Sequence, residues 1–378
     1  MKTKQKLNWG SILFLGGYHL LMVAMLPVYF IFFGVPSGAL IGISILLFFL
    51  TGLSITGGYH RLFSHSTYKA NKFVEFFFLL FGTMACQGSA LRWAHDHRLH
   101  HAHIDGEKDP YSVTKGFWHA HFLWMLKAQD PVNPKVVSDL KRSKMIQFQD
   151  KYYEILMFTS NLLVTLFIGY FLNNYFGALL FTWLVRQFFL HHSTWFINSL
   201  AHYIGHQNYS TEHTAVDNYF ISFLTFGEGY HNYHHTFAHD YRNGIRWYHF
   251  DPTKWLIWTL NKLGMAHNLR TIPDAKISEQ MIQVHKEALL DKLKNSITHK
   301  KGDLEQKITY YTESLTRKIT QMNQLIREYK KTKMDTSPMP DRLKNLSIEM
   351  AKLRKSLKRE WRSWKRFSKF VMKLKAAA

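Results

Sequence analysis

The feature that most limits the fold of this chain is a series of apolar runs too long for an ordinary soluble core. From Ser11 to Phe33 no residue carries a formal charge, and after the break "GVPSG" the stretch 40–55 repeats the pattern. About twenty helical residues cross the hydrocarbon of a bilayer, and a helix satisfies its own backbone hydrogen bonds there. The two runs, about 11–33 and 40–55, therefore predict a transmembrane hairpin, and a second is predicted over about 155–172 and 176–197, turning at "FLNNY". A basic start ahead of an apolar run also describes a signal peptide. This run is too long for an h-region and no small-residue cleavage site follows, so a retained span is expected. The apolar stretch 73–87 is short, and a fifth span would divide the histidine-rich segments between opposite faces; a buried or interfacial helix is expected there.

Charge orients the spans. "GVPSG" and "FLNNY" hold no Lys or Arg, whereas the start "KTKQK", the connection 60–153 and everything after Asn198 are rich in them. The positive-inside rule then puts both termini and the histidine-rich stretches on the cytoplasmic side. The single cysteine, Cys86, excludes an intramolecular disulfide framework and suits a reducing compartment.

Mean hydropathy is only −0.19 although 47% of residues are hydrophobic, so a greasy part is averaged with a very polar one. The division is expected near residue 272: a membrane domain over 1–272 and a basic helical extension over 273–378. Of the net charge of +22, +15 falls between Lys276 and Lys375. Leu315, Ile319, Met322, Leu325 and Ile326 recur at helical spacing before the turn signal "MDTSPMPD", after which "LSIEMAKLRKSL" resumes the helix. A helical hairpin or coiled coil is predicted, serving either self-association or the surface of an anionic membrane, to which Trp361, Trp364, Phe367 and Phe370 among Lys and Arg would be suited. Nucleic acid could use the same charge, but no nucleic-acid-binding motif accompanies it.

The chemistry lies in the histidines. "HRLHH" (His97, His100, His101) and "HNYHH" (His231, His234, His235) repeat one spacing, and on a helix positions i, i+3 and i+4 share a face, so each box can converge on one point. Imidazole is a common metal ligand. "HRLFSH" sets His60 and His65 five apart, off a single α-helical face, and predicts that the helix ends there and bends the second ligand back. "NSLAH" adds Asn198 and His202. Nine histidines exceed the needs of one zinc and suit two metals. The absence of cysteine and of an obvious carboxylate disfavours magnesium, calcium and iron–sulfur clusters and leaves Zn, Cu, Fe or Ni.

The ordered set "HRLFSH", "WAHDHRLHH", "TWFINSLAHYIGH" and "GEGYHNYHHTF" resembles the membrane-bound fatty acyl desaturases, specifically the stearoyl-CoA (delta-9) type, over roughly residues 10–270. The resemblance implies an all-α integral membrane protein: four transmembrane helices in two hairpins, a cytoplasmic helical cap holding a dinuclear metal site, and here a helical or coiled-coil C-terminal extension. It implies two iron ions held by His60, His65, His97, His100, His101, His202, His231, His234 and His235, with Asn198 reaching one of them through water, and O₂ as co-substrate. Gln87, Thr194 and Trp195 match positions that shape the bend of an acyl tunnel, and Trp93 and Asp96 match its head-group end. Phe48 and Gly52, with Phe49, would set the closed end. No residue beyond the metal centre is expected to be catalytic.

The expected reaction is removal of two hydrogens from C9 and C10 of a saturated acyl chain to leave a cis double bond, with reduction of O₂ to water. An unactivated methylene has no acid–base route at neutral pH, so an oxidising metal is required, and the protein's share is to hold one pair of near-identical CH₂ groups in place. The substrate is expected to be a saturated fatty acyl-CoA, with carrier-protein and phospholipid esters open. With no "HPGG" haem motif and no GxGxxG loop, electrons are expected from an external ferredoxin or b5-type cytochrome with its reductase. A di-iron hydroxylase and a metal-transporting membrane protein are the alternatives. A bacterial inner membrane is the expected setting. Glu228, Asp96 and Asp240 are expected to support the ligand histidines. His95, His103, His119, His121, His191, His192, His206, His213 and His239 are expected to be supporting or surface groups.

Overall fold

A computed structural model describes residues 6–334 and 339–374 of the chain. It divides into two compact units, one of residues 1–207 and 212–271, the other of residues 208–211 and 272–378.

The first unit begins with α1 (Trp9–Phe32), whose N-terminus is capped by the Asn8 side chain accepting from Ser11 N at 3.1 Å. α2 (Gly38–Leu53) starts from a Ser37 cap and does not stop near residue 55. It runs on as a π-helix over Ser54–Ser64, so the second apolar helix spans 27 residues. A two-residue strand, β1 (Lys69–Ala70), pairs antiparallel with β2 (Ala266–His267) and ties the exit of this helix to the end of the unit. α3 (Lys72–Met84) lies across the π-helix, with contact so close that a Cβ on Gly58 would fall 2.6 Å from Phe78 Cβ, and one on Gly82 2.3 Å from the Tyr59 ring. α4 (Ala90–His103) follows a Ser89 cap, then come the short α5 (Phe117–His121) and α6 (Lys144–Lys151).

α7 (Tyr153–Phe171) returns through the apolar layer, and α8 (Tyr175–Gly177), a π-helix over Ala178–Val185 and α9 (Arg186–Asn198) follow end to end. Among the described residues three helices are long and apolar enough to cross a membrane: Trp9–Phe32, Gly38–Ser64 and Tyr153–Phe171. The segment expected as a fourth span is helical from Tyr175 to Asn198 but carries Arg186, Gln187, His191 and His192. The unit closes with α10 (Tyr219–Leu224), α11 (His231–Thr236) and α12 (Pro252–Lys262), the last started by Pro252 in its first turn and an Asp251 cap.

The second unit consists of α13 (Asp274–Lys294), α14 (Lys301–Met334) and α15 (Pro340–Met372) around a core of its own. Residues 335–338 of the turn expected at "MDTSPMPD" lie outside the described residues, as do residues 2–5 of "KTKQK". The tail aromatics depart from expectation. Trp364 is 1% exposed, Val371 is fully buried, and Trp361 and Phe367 pack against the same core as Ile282, Leu289, Ile308 and Leu315. The apolar stripe of α15 faces its neighbours α13 and α14: Trp364 is enclosed, Trp361 and Phe367 are half-buried, and Phe370, 56% exposed, remains outside.

Candidate metal centre

The nine box histidines assemble into two sets. One ring nitrogen from each of His60, His65, His97, His101 and His234 lies within 4.8 Å of the others, and the same holds for His100, His202, His231 and His235. In the first set His60 Nε2 and His234 Nε2 are 3.0 Å apart, His65 Nε2 and His97 Nε2 2.8 Å, and His234 Nε2 and His101 Nε2 3.0 Å. In the second, His100 Nε2 and His235 Nε2 are 3.3 Å apart and His235 Nε2 and His231 Nε2 3.1 Å.

Local structure accounts for these positions, in two respects against expectation. Neither HxxHH box aims at one point. His97 and His101, four apart on α4, join the first set while His100 between them joins the second; on α11 His231 and His235 join the second and His234 the first. Each helix therefore lies between the two sets and feeds both. Nor does the chain bend back between His60 and His65. The π-helix closes i→i+5 hydrogen bonds, and His65 N donates to His60 O at 3.1 Å, so a spacing of five brings both rings to one side, where it would not on an α-helix.

The outer ring nitrogens of His60, His97, His100 and His202 are held by partners, whereas His231 Nδ1 is buried without one. Glu228 meets His60 Nδ1 at 3.0 Å and also receives Arg61 Nη2 at 2.8 Å. Asp109 meets His100 Nδ1 at 2.9 Å. Thr214 donates its hydroxyl to Asp105 at 2.7 Å, so it accepts from His202 Nδ1 at 2.8 Å. Tyr111 Oη lies 3.2 Å from His97 Nδ1. Of the carboxylates expected here, Glu228 stands in this position, whereas Asp96 binds Arg92 and the non-box His95, and Asp240 binds Tyr233 and Arg242. Asp109, Tyr111 and Thr214 went unforeseen. Asp109 sits in "EKDPY", which reads as a turn, and nothing in the sequence marks Thr214.

This pattern fixes what the sets can hold. An imidazole that gives its Nδ1 proton to a carboxylate or hydroxyl presents only a lone pair at Nε2. At His60, His100 and His202 these lone pairs point into the sets, and His202 Nε2 is buried without a hydrogen-bond partner. Burial pushes His97, His101, His231, His234 and His235 well below the ordinary imidazole range, with neighbouring imidazoles adding to the effect, so neutral rings face one another across about 3 Å. A cation between them removes the repulsion. Among the described residues no Asp, Glu or Cys joins either set, and an all-imidazole donor set suits Fe, Zn, Cu or Ni.

A cavity of about 640 Å³ opens beside the sets, lined by His60, His97, His231 and Glu228 at one side and by Leu15, Ile55 and Cys86 elsewhere. Gln87, Trp93, Asp96, Thr194, Trp195 and Asn198 all line it. Gln87 Nε2 donates to Thr194 Oγ1 at 2.9 Å across it, and Trp93 stacks on His97 with centroids 4.9 Å apart. Phe48 and Gly52 do not line it. They pack against Phe226, whose ring is 5.0 Å from that of Phe48 and would lie 2.2 Å from a Cβ on Gly52. A second, polar cavity of about 410 Å³ shares Arg92 and Asp96 and adds Lys108, Lys115, His119 and Lys127.

The fatty acid desaturase family model matches residues 36–270, a stretch that holds all nine histidines. The chain belongs to the fatty acid desaturase family. Among curated relatives of this desaturase chain, a probable acyl-CoA desaturase of Schizosaccharomyces pombe is 39% identical over 76% of the chain and 59% of the relative. A sn-1 stearoyl-lipid 9-desaturase of Anabaena variabilis is 34% identical over 71% of the chain and 96% of the relative. Stearoyl-CoA desaturase 4 of Mus musculus is 34% identical over 60% and 67%. The desaturase chain thus spans little more than half the length of the yeast relatives, 59% and 55%, and nearly all of the cyanobacterial one.

Proposed function

We propose that this protein is an O₂-dependent desaturase that places a cis double bond between C9 and C10 of a saturated fatty acyl chain. The observation carrying this reading is the convergence of two all-histidine sets on one end of a largely apolar cavity, in a chain of the desaturase family. His60, His65, His97, His101 and His234 would hold one iron. His100, His202, His231 and His235, with Asn198 through water, would hold the other. Two bound irons, with O₂ and two electrons from outside, supply the oxidising power that a methylene demands; the balance is –CH₂–CH₂– + O₂ + 2e⁻ + 2H⁺ giving –CH=CH– and two waters.

The chain's own residues do the rest. Glu228 and Asp109 hold the His60 and His100 rings in one tautomer with Nε2 inward. Trp93, against His97, and the Gln87–Thr194 hydrogen bond narrow the cavity beside the histidines, which restricts which methylene pair can lie there. Apolar lining from Leu15, Phe14 and Ile55 excludes water from the chain. Lys108, Lys115, Lys127 and Arg92 around the second cavity suit an anionic head group, such as the phosphates of a CoA thioester.

Tyr175–Asn198 would be the fourth span, with both termini and the histidines on the cytoplasmic side, in accord with the positive-inside rule. The relatives come from yeasts, cyanobacteria and animals alike and lend no support to a bacterial inner membrane in particular. The basic surface would attract an acidic ferredoxin or b5-type cytochrome as electron donor, and the second unit an anionic bilayer or a second copy of the chain.

The test is the fatty-acid profile of cells that supply a competent electron donor and express the protein or its His231→Ala/His234→Ala double variant. A cis-9 monoene present only with the unaltered protein is expected. A hydroxylated product, or a double bond elsewhere, would overturn the reading.

A further inference from the structure

Four histidines outside the boxes surround one cavity-lining side chain. The Trp195 indole has the His192 ring 4.9 Å away, His191 at 5.0 Å, His121 at 5.7 Å and His19 stacked at 6.3 Å, centroid to centroid. Three of the four lie along one line of polar contacts that joins α1, α5 and α9. It runs from Leu15 O to His19 Nδ1 (2.7 Å), His19 Nε2 to His192 Nε2 (3.4 Å), His192 Nδ1 to His121 Nε2 (3.1 Å), His121 Nδ1 to Ser199 Oγ (2.9 Å), and Ser199 Oγ to Trp195 O (3.0 Å).

The proton count along this chain is determined by its ends. Both are carbonyls, which only accept. His19 therefore donates from Nδ1, and Ser199 gives its one hydrogen to Trp195 O. Ser199 must then accept from His121 Nδ1, a neutral His121 must accept at Nε2 from His192 Nδ1, and a neutral His192 is left with a lone pair at Nε2 facing the lone pair of His19. The single link without a proton thus falls on the longest separation, 3.4 Å. Beside this chain the Gln187 amide Nε2 lies 2.5 Å from His191 Nε2, so that nitrogen accepts and His191 Nδ1 donates to the Tyr18 hydroxyl at 2.9 Å, which leaves the Tyr18 hydroxyl hydrogen for His19 Nε2, 3.5 Å from the hydroxyl oxygen. Spacing and tautomers agree on one neutral, polarised arrangement, and burial together with the adjacent His192 pushes His121 down to about 4. The line ends on the Trp195 carbonyl, so the indole is walled by rings whose orientations are fixed by hydrogen bonds to backbone, to Ser199 or to each other.

We propose that His19, His121 and His192 are positioning residues that hold the Trp195 indole at the cavity wall and thereby decide which methylenes of the acyl chain lie beside the histidine sets. The specificity part rests on the desaturase reading; the positioning part does not. Hydrogen bonds serve here better than packing alone because the chain fixes the rotation of each ring, and with it the width left for substrate.

The test uses the full-length protein with fluorotryptophan incorporated, the Trp195 resonance being assigned by its loss in Trp195→Phe. His192→Leu, which removes the donation to His121, should shift or broaden that resonance, and His192→Gln, which can still donate to His121, should restore it. In cells making unsaturated product, the share of the principal double-bond isomer relative to its neighbours should fall roughly fivefold in His192→Leu and recover in His192→Gln, with metal content per chain unchanged. His121→Leu provides the same comparison should His192→Leu fail to fold. An unchanged Trp195 resonance in the leucine variants overturns the proposal, as does an unchanged isomer ratio beside a moved resonance, or a loss of metal that accounts for both. If the unaltered protein forms no double bond, the desaturase reading fails by itself, and with it the specificity part; the fluorine spectrum still decides the positioning part.

Discussion

Glu228 joins two demands in one carboxylate: it orients His60 at 3.0 Å and neutralises Arg61, a guanidinium 1% exposed that also pairs with Asp251 at 3.0 Å. Burial opposes its charge, but Arg61 and His60 outweigh that and hold the carboxyl below its ordinary range. Glu228→Gln keeps the shape and removes the charge, so it should cost about 3–5 kcal/mol of stability and weaken metal binding by about 10–100-fold; thermal unfolding in detergent and metal content per chain measure the two. His249, stacked on Tyr230 with centroids 4.5 Å apart, adds a pH dependence of the same sign in a higher range: burial, then Lys254 and Arg246, push it down to about 4. An imidazole lowered on folding contributes stability above its unfolded value of about 6.5 that is lost as pH falls toward the folded value. Denaturation midpoints should therefore drop between about pH 7.5 and about pH 5 by less in His249→Asn than in the unaltered protein. The histidines that converge in the two sets were legible in the sequence because imidazoles at repeated spacing have few other uses. Their partners were not, since Asp109 and Thr214 reach their rings through loops that carry no periodic signal.

Among elements, the π-helix over Ser54–Ser64 shows where periodicity misleads. Reading "HRLFSH" with an α-helical period of 3.6 predicts a break; the wider turn of a π-helix makes a spacing of five the one that aligns. The apolar lengths of α1 and α7 were readable because a bilayer asks only for a run, whereas the helix 175–198 mixes polar side chains into its run and reads less clearly. α15 teaches the converse. Aromatic residues among Lys and Arg at helical spacing describe a lipid-facing helix and a packed one equally well, and only the presence of α13 and α14 distinguishes them. Trp364→Ala should therefore act as a core deletion, costing about 3–5 kcal/mol and raising hydrogen exchange in α13–α15; a surface aromatic would give a change within about 0.5 kcal/mol.

For the whole molecule, the histidine sets bring together segments distant in sequence: the π-helix and its C-cap, α4, the 3-10 turn Leu200–His202 that follows α9, and α11. A metal bound to the folded chain alone stabilises it by mass action, so stripping metal with a chelator should lower the unfolding temperature, and restoring the metal should recover it. His100→Ala should shrink that difference without abolishing it, since the first set keeps all its nitrogens. The crosswise supply of ligands also bears on how the protein is made. His101 and His234 are 133 positions apart and His100 and His235 are 135 apart, and each set draws on α11. A ribosome that has released the chain only as far as residue 230 has completed neither histidine set, so any metal these sets hold would be loaded at the last stage of biogenesis, after the helices expected in the bilayer have already been inserted.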